Sequence, residues 1–270
     1  GAVAAGVVRL AAPLVPESRL ALRNLALALP ETSEAERRAI LRGAWSNLAR
    51  TVAEMPSLRR MIYADPHDPD RGLSDRIEIV GGEWFERARD DGVTAIGFTA
   101  HYGNWEIMPF VARTFRLPMA ALYRPLRNAR IDADLARWRE ERCEMVTSGP
   151  RAALRVAGAM KRGMHMAILA DQRMPGGVMV PFFGRPAPTN PLIGGLARQF
   201  DCPVHGIRSI RLPGGRFRIE VSPPLDLPRD ADGRIDADAA TAAVTRMIEG
   251  WVREHPDQWL WLHNRWGDAG

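Results

Sequence analysis

The stretch VTAIGFTAHYGNWEI, residues 93–107, constrains this chain more than any other. The apolar run Val93–Ala100 is too short for a typical globular helix and suits a strand buried on both faces, the kind a parallel sheet requires. From Asn104 to Phe115 apolar and polar residues follow each other at helical spacing, with Tyr102 and Gly103 forming a plausible turn before them. The pattern therefore predicts strand, turn and helix, with His101 at the strand's carboxyl end. In open α/β sheets that edge is where ligands bind.

Five positions after His101 stands Glu106. On one continuous helix the two would be about 500° of rotation apart, so roughly 140° around the axis, and could not easily touch. With the histidine ahead of the helix, Glu106 falls in the first turn and points back toward the strand end. A carboxylate there can hold one imidazole nitrogen and leave the other to take a proton from a hydroxyl. The same spacing also describes a buried histidine satisfied by a nearby acid.

Two further runs narrow the choice. PMAALYRP (118–125) ends in Tyr123 and Arg124, and MHMAILADQ (164–172) ends in Asp171 and Gln172. As neighbouring parallel strands, joined by helical stretches at Asn104 to Phe115, Ile131 to Arg142 and Arg151 to Arg162, they bring His101, Arg124 and Asp171 to one crevice. Farther on, CPVHGIRSIRLP, a Gly-Gly turn and RFRIEVSPP predict two antiparallel strands added to the sheet, and ADAATAAVTRMIEGWVREHP a last helix. The expected fold is α/β, a mixed central sheet flanked by helices.

The chain resembles the late acyltransferases of lipid A biosynthesis, the lauroyl and myristoyl acyltransferase type, within the wider group of lysophospholipid and glycerolipid acyltransferases. The likeness runs through SRLALRNLALALPETSEAERRAILRGAWSNLART, the H-x-x-x-x-E block of FTAHYGNWEI, LYRPLRNARID, the Asp-Gln pair of ILADQRMPGGVMVPFFGRPAPTNP, and the closing DQWLWLHNRW. It implies a glycerolipid acyltransferase-like fold with amino-terminal membrane-associated helices. It also implies that His101 is the base, Glu106 its orienting partner, and Asp171 with an upstream arginine a supporting charge pair. For that arginine the stretch ARWREERCEMVTSGPRAALR leaves Arg139, Arg142 and Arg151 open. Asn104, Trp105, Tyr123, Arg124, Gln172 and Arg265 are the other supporting or substrate-binding candidates. The reaction implied moves a fatty acyl chain from acyl carrier protein to a hydroxyl of a lipid A precursor, at the cytoplasmic face of the inner membrane. Acyl-CoA as donor, a lysophospholipid or a glycolipid such as a mannosylated inositol lipid as acceptor, and a non-catalytic lipid-binding protein are the alternatives.

The residues suit that chemistry. Acyl transfer from a thioester to an alcohol needs a base for the hydroxyl proton and donors for the charge that develops on the carbonyl oxygen. His101 supplies the first, and backbone N–H groups around Tyr102 to Asn104 or a nearby arginine the second. No covalent acyl-enzyme is required: the chain has no G-x-S-x-G elbow, and Cys143 and Cys202 read as packing residues. No cofactor is expected. None of the six histidines forms H-E-x-x-H and two cysteines cannot build a C-x-x-C pair, so no metal site is legible, nor is a nucleotide-binding motif.

At 270 residues with 46% apolar content the chain can bury one large core, and two cysteines give no disulfide framework. A net charge of +5 and a pI near 10.0 favour an anionic partner, although Lys161 is the one lysine and part of the arginine bias reflects coding. Arginines scattered beside acids, without a basic stripe, argue against nucleic acid and for acidic lipid.

The amino terminus supports a membrane. GAVAAGVVRLAAPLV is apolar except for Arg9, and SRLALRNLALAL sets Arg19 and Arg23 one turn apart against a leucine and alanine face. We read residues 1–30 as a membrane-associated segment continuing an anchor begun upstream, and residues 31–270 as the acyltransferase domain. TSEAERRAILRGAWSNLARTVAEM then reads as an amphipathic helix with a capping box of Ser33 and Glu36. Trp259, Trp261 and Trp266 crowd around His263, Asn264 and Arg265 as an interfacial belt, an acceptor site or a packed tail.

Overall fold

A computed structural model describes residues 15–125, 143–149 and 151–267. Two helices open the described chain, α1 (Pro16–Ala28) and α2 (Glu34–Glu54). The second begins at the expected capping box, where the Ser33 hydroxyl accepts from the Glu36 amide at 3.3 Å and the Ser33 amide donates to the Glu36 carboxylate at 2.7 Å. A short helix α3 (Leu58–Ile62) and a small ribbon, β1 (Tyr63–Asp65) and β2 (Asp68–Leu73), lead into the main sheet.

Among the described residues the main sheet has seven strands: β3 (Ile77–Val80), β4 (Ile96–Thr99), β5 (Met119–Tyr123), β6 (Glu144–Thr147), β7 (His165–Leu169), β10 (Val204–Leu212) and β11 (Arg216–Pro224). Their spatial order is β3-β11-β10-β4-β7-β5-β6, and only the β10–β11 pair is antiparallel. The sheet is thus mixed and mostly parallel, as expected, with the predicted carboxyl-terminal hairpin joined to β4 through β10. The three strands ending in His101, Tyr123 and Asp171 are all parallel. Their order, however, puts β7 between β4 and β5. The edge strand β6 was not anticipated, and the expected helix Ile131 to Arg142 lies outside the described residues.

Helices α4 (Glu83–Asp90), α5 (Met108–Thr114), α6 (Ala152–Lys161), α7 (Leu192–Phe200) and α8 (Ala237–Glu254) flank the sheet, and β8 (Arg173–Phe182) pairs with β9 (Arg185–Thr189) as a separate ribbon. Most residues of the central strand β10 are buried, as in a sheet covered on both sides. On β10, Ile210 joins one apolar cluster with Ile96, Phe98, Met166 and the α8 residues Val244, Ile248 and Val252. Ile207, three residues away and so on the opposite face, packs on a second cluster of Phe85, Phe110, Val111 and Phe217.

The described part of the expected membrane segment is α1, and its apolar side faces inward. Ala21, Leu25 and Ala28 belong to the main core, and the Asn24 amide donates to the carbonyls of Trp261 and His263 at 2.9 and 2.8 Å. Arg19 and Arg23 remain exposed. Among the described residues no helix is long and apolar enough to cross a membrane; residues 1–14 lie outside them.

Candidate active site

The site is built by continuing a strand register. Strands β4 and β7 pair in parallel with Ile96 opposite Met166 and Thr99 opposite Leu169. Two residues farther along each chain, beyond the last paired residues, come His101 and Asp171. The Asp171 carboxylate accepts from the His101 ring Nδ1 at 2.8 Å with one oxygen and from the His101 main-chain N–H at 2.9 Å with the other. The partner on Nδ1 therefore comes from the neighbouring strand rather than from the helix that follows. Glu106, expected to hold one imidazole nitrogen, lies buried in the 3₁₀ turn Trp105–Ile107, next along the chain.

Electrostatics make the pairing strong. Asp171 is completely buried, which by itself would push its carboxyl up, yet the imidazole charge and the hydrogen bonds from His101 hold it well below the usual carboxylate range. It accepts a third bond, from the Trp259 indole N–H at 2.9 Å. Among the described residues no arginine hydrogen-bonds this carboxylate. Arg139 and Arg142 lie outside the described residues, and Arg151 stands exposed at the amino end of α6. The arginine that feels Asp171 is Arg265, whose guanidinium is buried, donates to the Pro188 carbonyl and the Thr189 hydroxyl at 3.0 and 2.7 Å, and is pushed down by burial to about 10 against the pull of Asp171. His263 is also driven toward its neutral form by burial, with Asp171 opposing.

The turn that carries His101 is held from below. After β4 the chain tightens, with the Tyr102 N–H donating to the Ala100 carbonyl at 2.7 Å. Gly103 then takes φ +57°, and a Cβ there would lie 1.7 Å from the Ser209 carbonyl oxygen, so only glycine fits. The Gly103 carbonyl accepts from Asn47 at 2.8 Å and Thr51 at 3.1 Å, both on α2. Asn104 is fully buried, caps the 3₁₀ turn through its carbonyl oxygen, and donates to Glu54 at 2.9 Å. Glu54 pairs with Arg211 of β10 at 2.6 Å, and Arg211 reaches Asn47 at 2.9 Å.

This polar network escaped the sequence reading, although Asn47, Thr51 and Glu54 stand at i, i+4 and i+7 on α2, a polar stripe on one helix face. The tail residues around it were visible only as a tryptophan cluster.

Around the imidazole the site is partly open. The His101 side chain is 15% exposed, and its ring meets the edge of Trp105 at 5.1 Å between centroids. Tyr123 and Arg124 end β5, one strand beyond Asp171, half-buried and exposed respectively, and Gln172 is exposed beside Asp171. With Nδ1–H donated to Asp171, Nε2 carries the lone pair whenever the ring is neutral. That is the state a general base needs. Both cysteines are buried, and burial pushes the Cys202 thiol up to about 12, the opposite of an activated nucleophile.

The sequence profile described as bacterial lipid A biosynthesis acyltransferase matches residues 3–268. The lipid A biosynthesis lauroyltransferase of Escherichia coli (strain K12) is 26% identical over 261 residues, covering 92% of this chain and 78% of its own. The lipid A biosynthesis palmitoleoyltransferase of the same organism is 25% identical over 259 residues, with 91% and 77% covered. A lipid A biosynthesis acyltransferase of Haemophilus influenzae is 21% identical over 242 residues, with 88% and 72% covered.

Proposed function

Since this chain belongs to the bacterial lipid A biosynthesis acyltransferase family, we propose that it moves a fatty acyl chain from acyl carrier protein to a hydroxyl of a lipid A precursor, with His101 as general base. The observation that carries the reading is the 2.8 Å bond from His101 Nδ1 to the buried Asp171, which makes Nε2 the nitrogen that acts as base.

In this mechanism Nε2 takes the proton of the acceptor hydroxyl as its oxygen attacks the thioester carbonyl carbon. Asp171 balances the positive charge that the ring then carries. The tetrahedral intermediate collapses with loss of the thiolate, which takes the proton back from Nε2, so the base is regenerated and no group on the protein is acylated. Glu106 is the second carboxylate of the site. A carboxylate is expensive to bury, and its burial in the turn after the base supports a role in the site. Trp105, Asn104, Tyr123, Arg124, Gln172 and Arg265 are assigned to shaping the crevice and holding substrate or the residues that touch it.

The acceptor's phosphates and the basic surface of the chain support a membrane-bound enzyme at the cytoplasmic leaflet of the inner membrane, with residues 1–14 as the membrane contact. Purified protein given acyl carrier protein thioester and a lipid A precursor should release free carrier thiol in step with acylated lipid, followed by thiol titration and mass spectrometry. Release only with acyl-CoA and a lysophospholipid would move the acceptor to that class. Retained lipid with no thiol would mean a binding protein.

A further inference from the structure

The polar tip of one tail residue reaches the catalytic carboxylate. Trp259 is 1% exposed, and its indole N–H donates to the Asp171 oxygen that also accepts from the His101 main chain. A buried indole needs an acceptor for its N–H, and packing alone would be served by phenylalanine. Here the acceptor is the carboxylate that holds the imidazole.

The tail is fastened so that this bond cannot drift. Residues 258–260 run antiparallel to the His101 turn: the Gly103 N–H donates to the Gln258 carbonyl at 2.9 Å, the Leu260 N–H donates to the His101 carbonyl at 3.0 Å, and Tyr102 and Trp259 form a bridge. Rings hem in the indole, Trp261 at 4.7 Å, His263 at 5.2 Å and Phe182 at 5.7 Å between centroids.

We propose that Trp259 is a positioning residue of the acyl transfer, its indole N–H fixing the Asp171 carboxylate and through it tuning His101 as a base. This rests on the assignment of His101 to that role. Among the described residues, Asp171 from β7 binds the imidazole and His263 from the tail acts on it, while Arg265, also from the tail, acts on Asp171 and Glu106 lies buried in the following turn. A donor on the carboxylate draws off part of its negative charge. Without the indole N–H the carboxylate stabilises the imidazolium more strongly, so His101 holds its proton to higher pH and is less often in the form that acts as base.

Two replacements separate this from packing. Trp259→Phe removes the N–H and part of the ring, whereas 3-benzothienylalanine at position 259 keeps the bicyclic shape and puts sulfur where the N–H was, so it serves if the phenylalanine variant fails to fold. Both should lower kcat about tenfold or more, the size of one charged hydrogen bond, with KM little changed. The acid limb of the kcat/KM profile and the ring titration of His101, followed by nitrogen-15 NMR without substrate, should both move to higher pH. If the benzothienyl enzyme keeps the wild-type acid limb and the wild-type His101 titration, Trp259 only packs and the proposal is overturned. A fully active His101→Ala enzyme would instead overturn the base assignment, while the His101 titration still reports whether Trp259 acts on that ring.

Discussion

Asp171 holds His101 twice, accepting from the imidazole Nδ1 at 2.8 Å and from the main-chain N–H of the same residue at 2.9 Å. Both the ring and the backbone that bears it are fixed by one carboxylate, because β4 and β7 are in register and end side by side. A base held at two points loses little orientational freedom before reaction, which is where positioned groups gain their rate.

His101→Ala should leave the fold intact, since the ring is partly exposed, and lower kcat/KM by about two to four orders of magnitude. Circular dichroism and turnover with acyl carrier protein thioester check both. Near-normal turnover in the folded variant would falsify the mechanism.

Asp171→Asn should lower kcat/KM by at least about a hundredfold, because an amide can hold the wrong imidazole tautomer. Glu106→Gln should also be impaired. Measuring the two side by side ranks the carboxylates, and an Asp171→Asn enzyme as fast as wild type would remove Asp171 from the site.

Gly103→Ala should destabilise the protein by about 2 kcal/mol or more, from the left-handed backbone and the encounter with the Ser209 carbonyl, and reduce activity in whatever fraction folds. Urea unfolding gives the difference directly. Gly92→Ala is the control: φ is +72° there too, but no atom lies near the added methyl, so a smaller loss is expected.

Acid should weaken this protein well above the carboxylate range. His165, His205 and His263 are all lowered by burial, so below about pH 6.5 the unfolded chain binds more protons than the folded one, and stability falls as pH falls from there. Asp171, lowered as well, contributes stability that persists through about pH 4 and is lost only in stronger acid. Thermal melts from pH 8 to 5 should show a declining midpoint, and His205→Gln should flatten the slope. A flat curve across pH 6.5 would contradict the burial of these rings.

Removing residues 1–14 should reduce flotation with anionic vesicles even at high salt, since apolar insertion is not screened, whereas Arg19→Glu should weaken it mainly at low salt. Removing residues 1–30 would also delete Ala21, Leu25 and Ala28 from the core, and should unfold the protein. Equal flotation of the shorter truncation and the full chain would put the membrane contact elsewhere.

Periodicity and punctuation in the sequence were enough to delimit the strands ending at His101, Tyr123 and Asp171, the carboxyl-terminal hairpin, the capping box of α2 and the last helix, because each reflects burial and turn chemistry within a few residues. They brought Asp171 and Arg124 to the same crevice as His101 without ranking them, and gave Glu106 as the histidine's partner. Strand order decided between them: β7 lies between β4 and β5, so Asp171 meets the histidine and Arg124 stands one strand beyond. Tertiary packing alone also turned α1 inward, joined Asn47, Thr51, Glu54 and Arg211 under the catalytic turn, and brought Trp259 to Asp171 across 88 residues. A sequence fixes which residues want burial and where the chain can turn, since those preferences are local. Which buried polar groups become partners depends on crossovers between distant strands, and only the assembled sheet sets that.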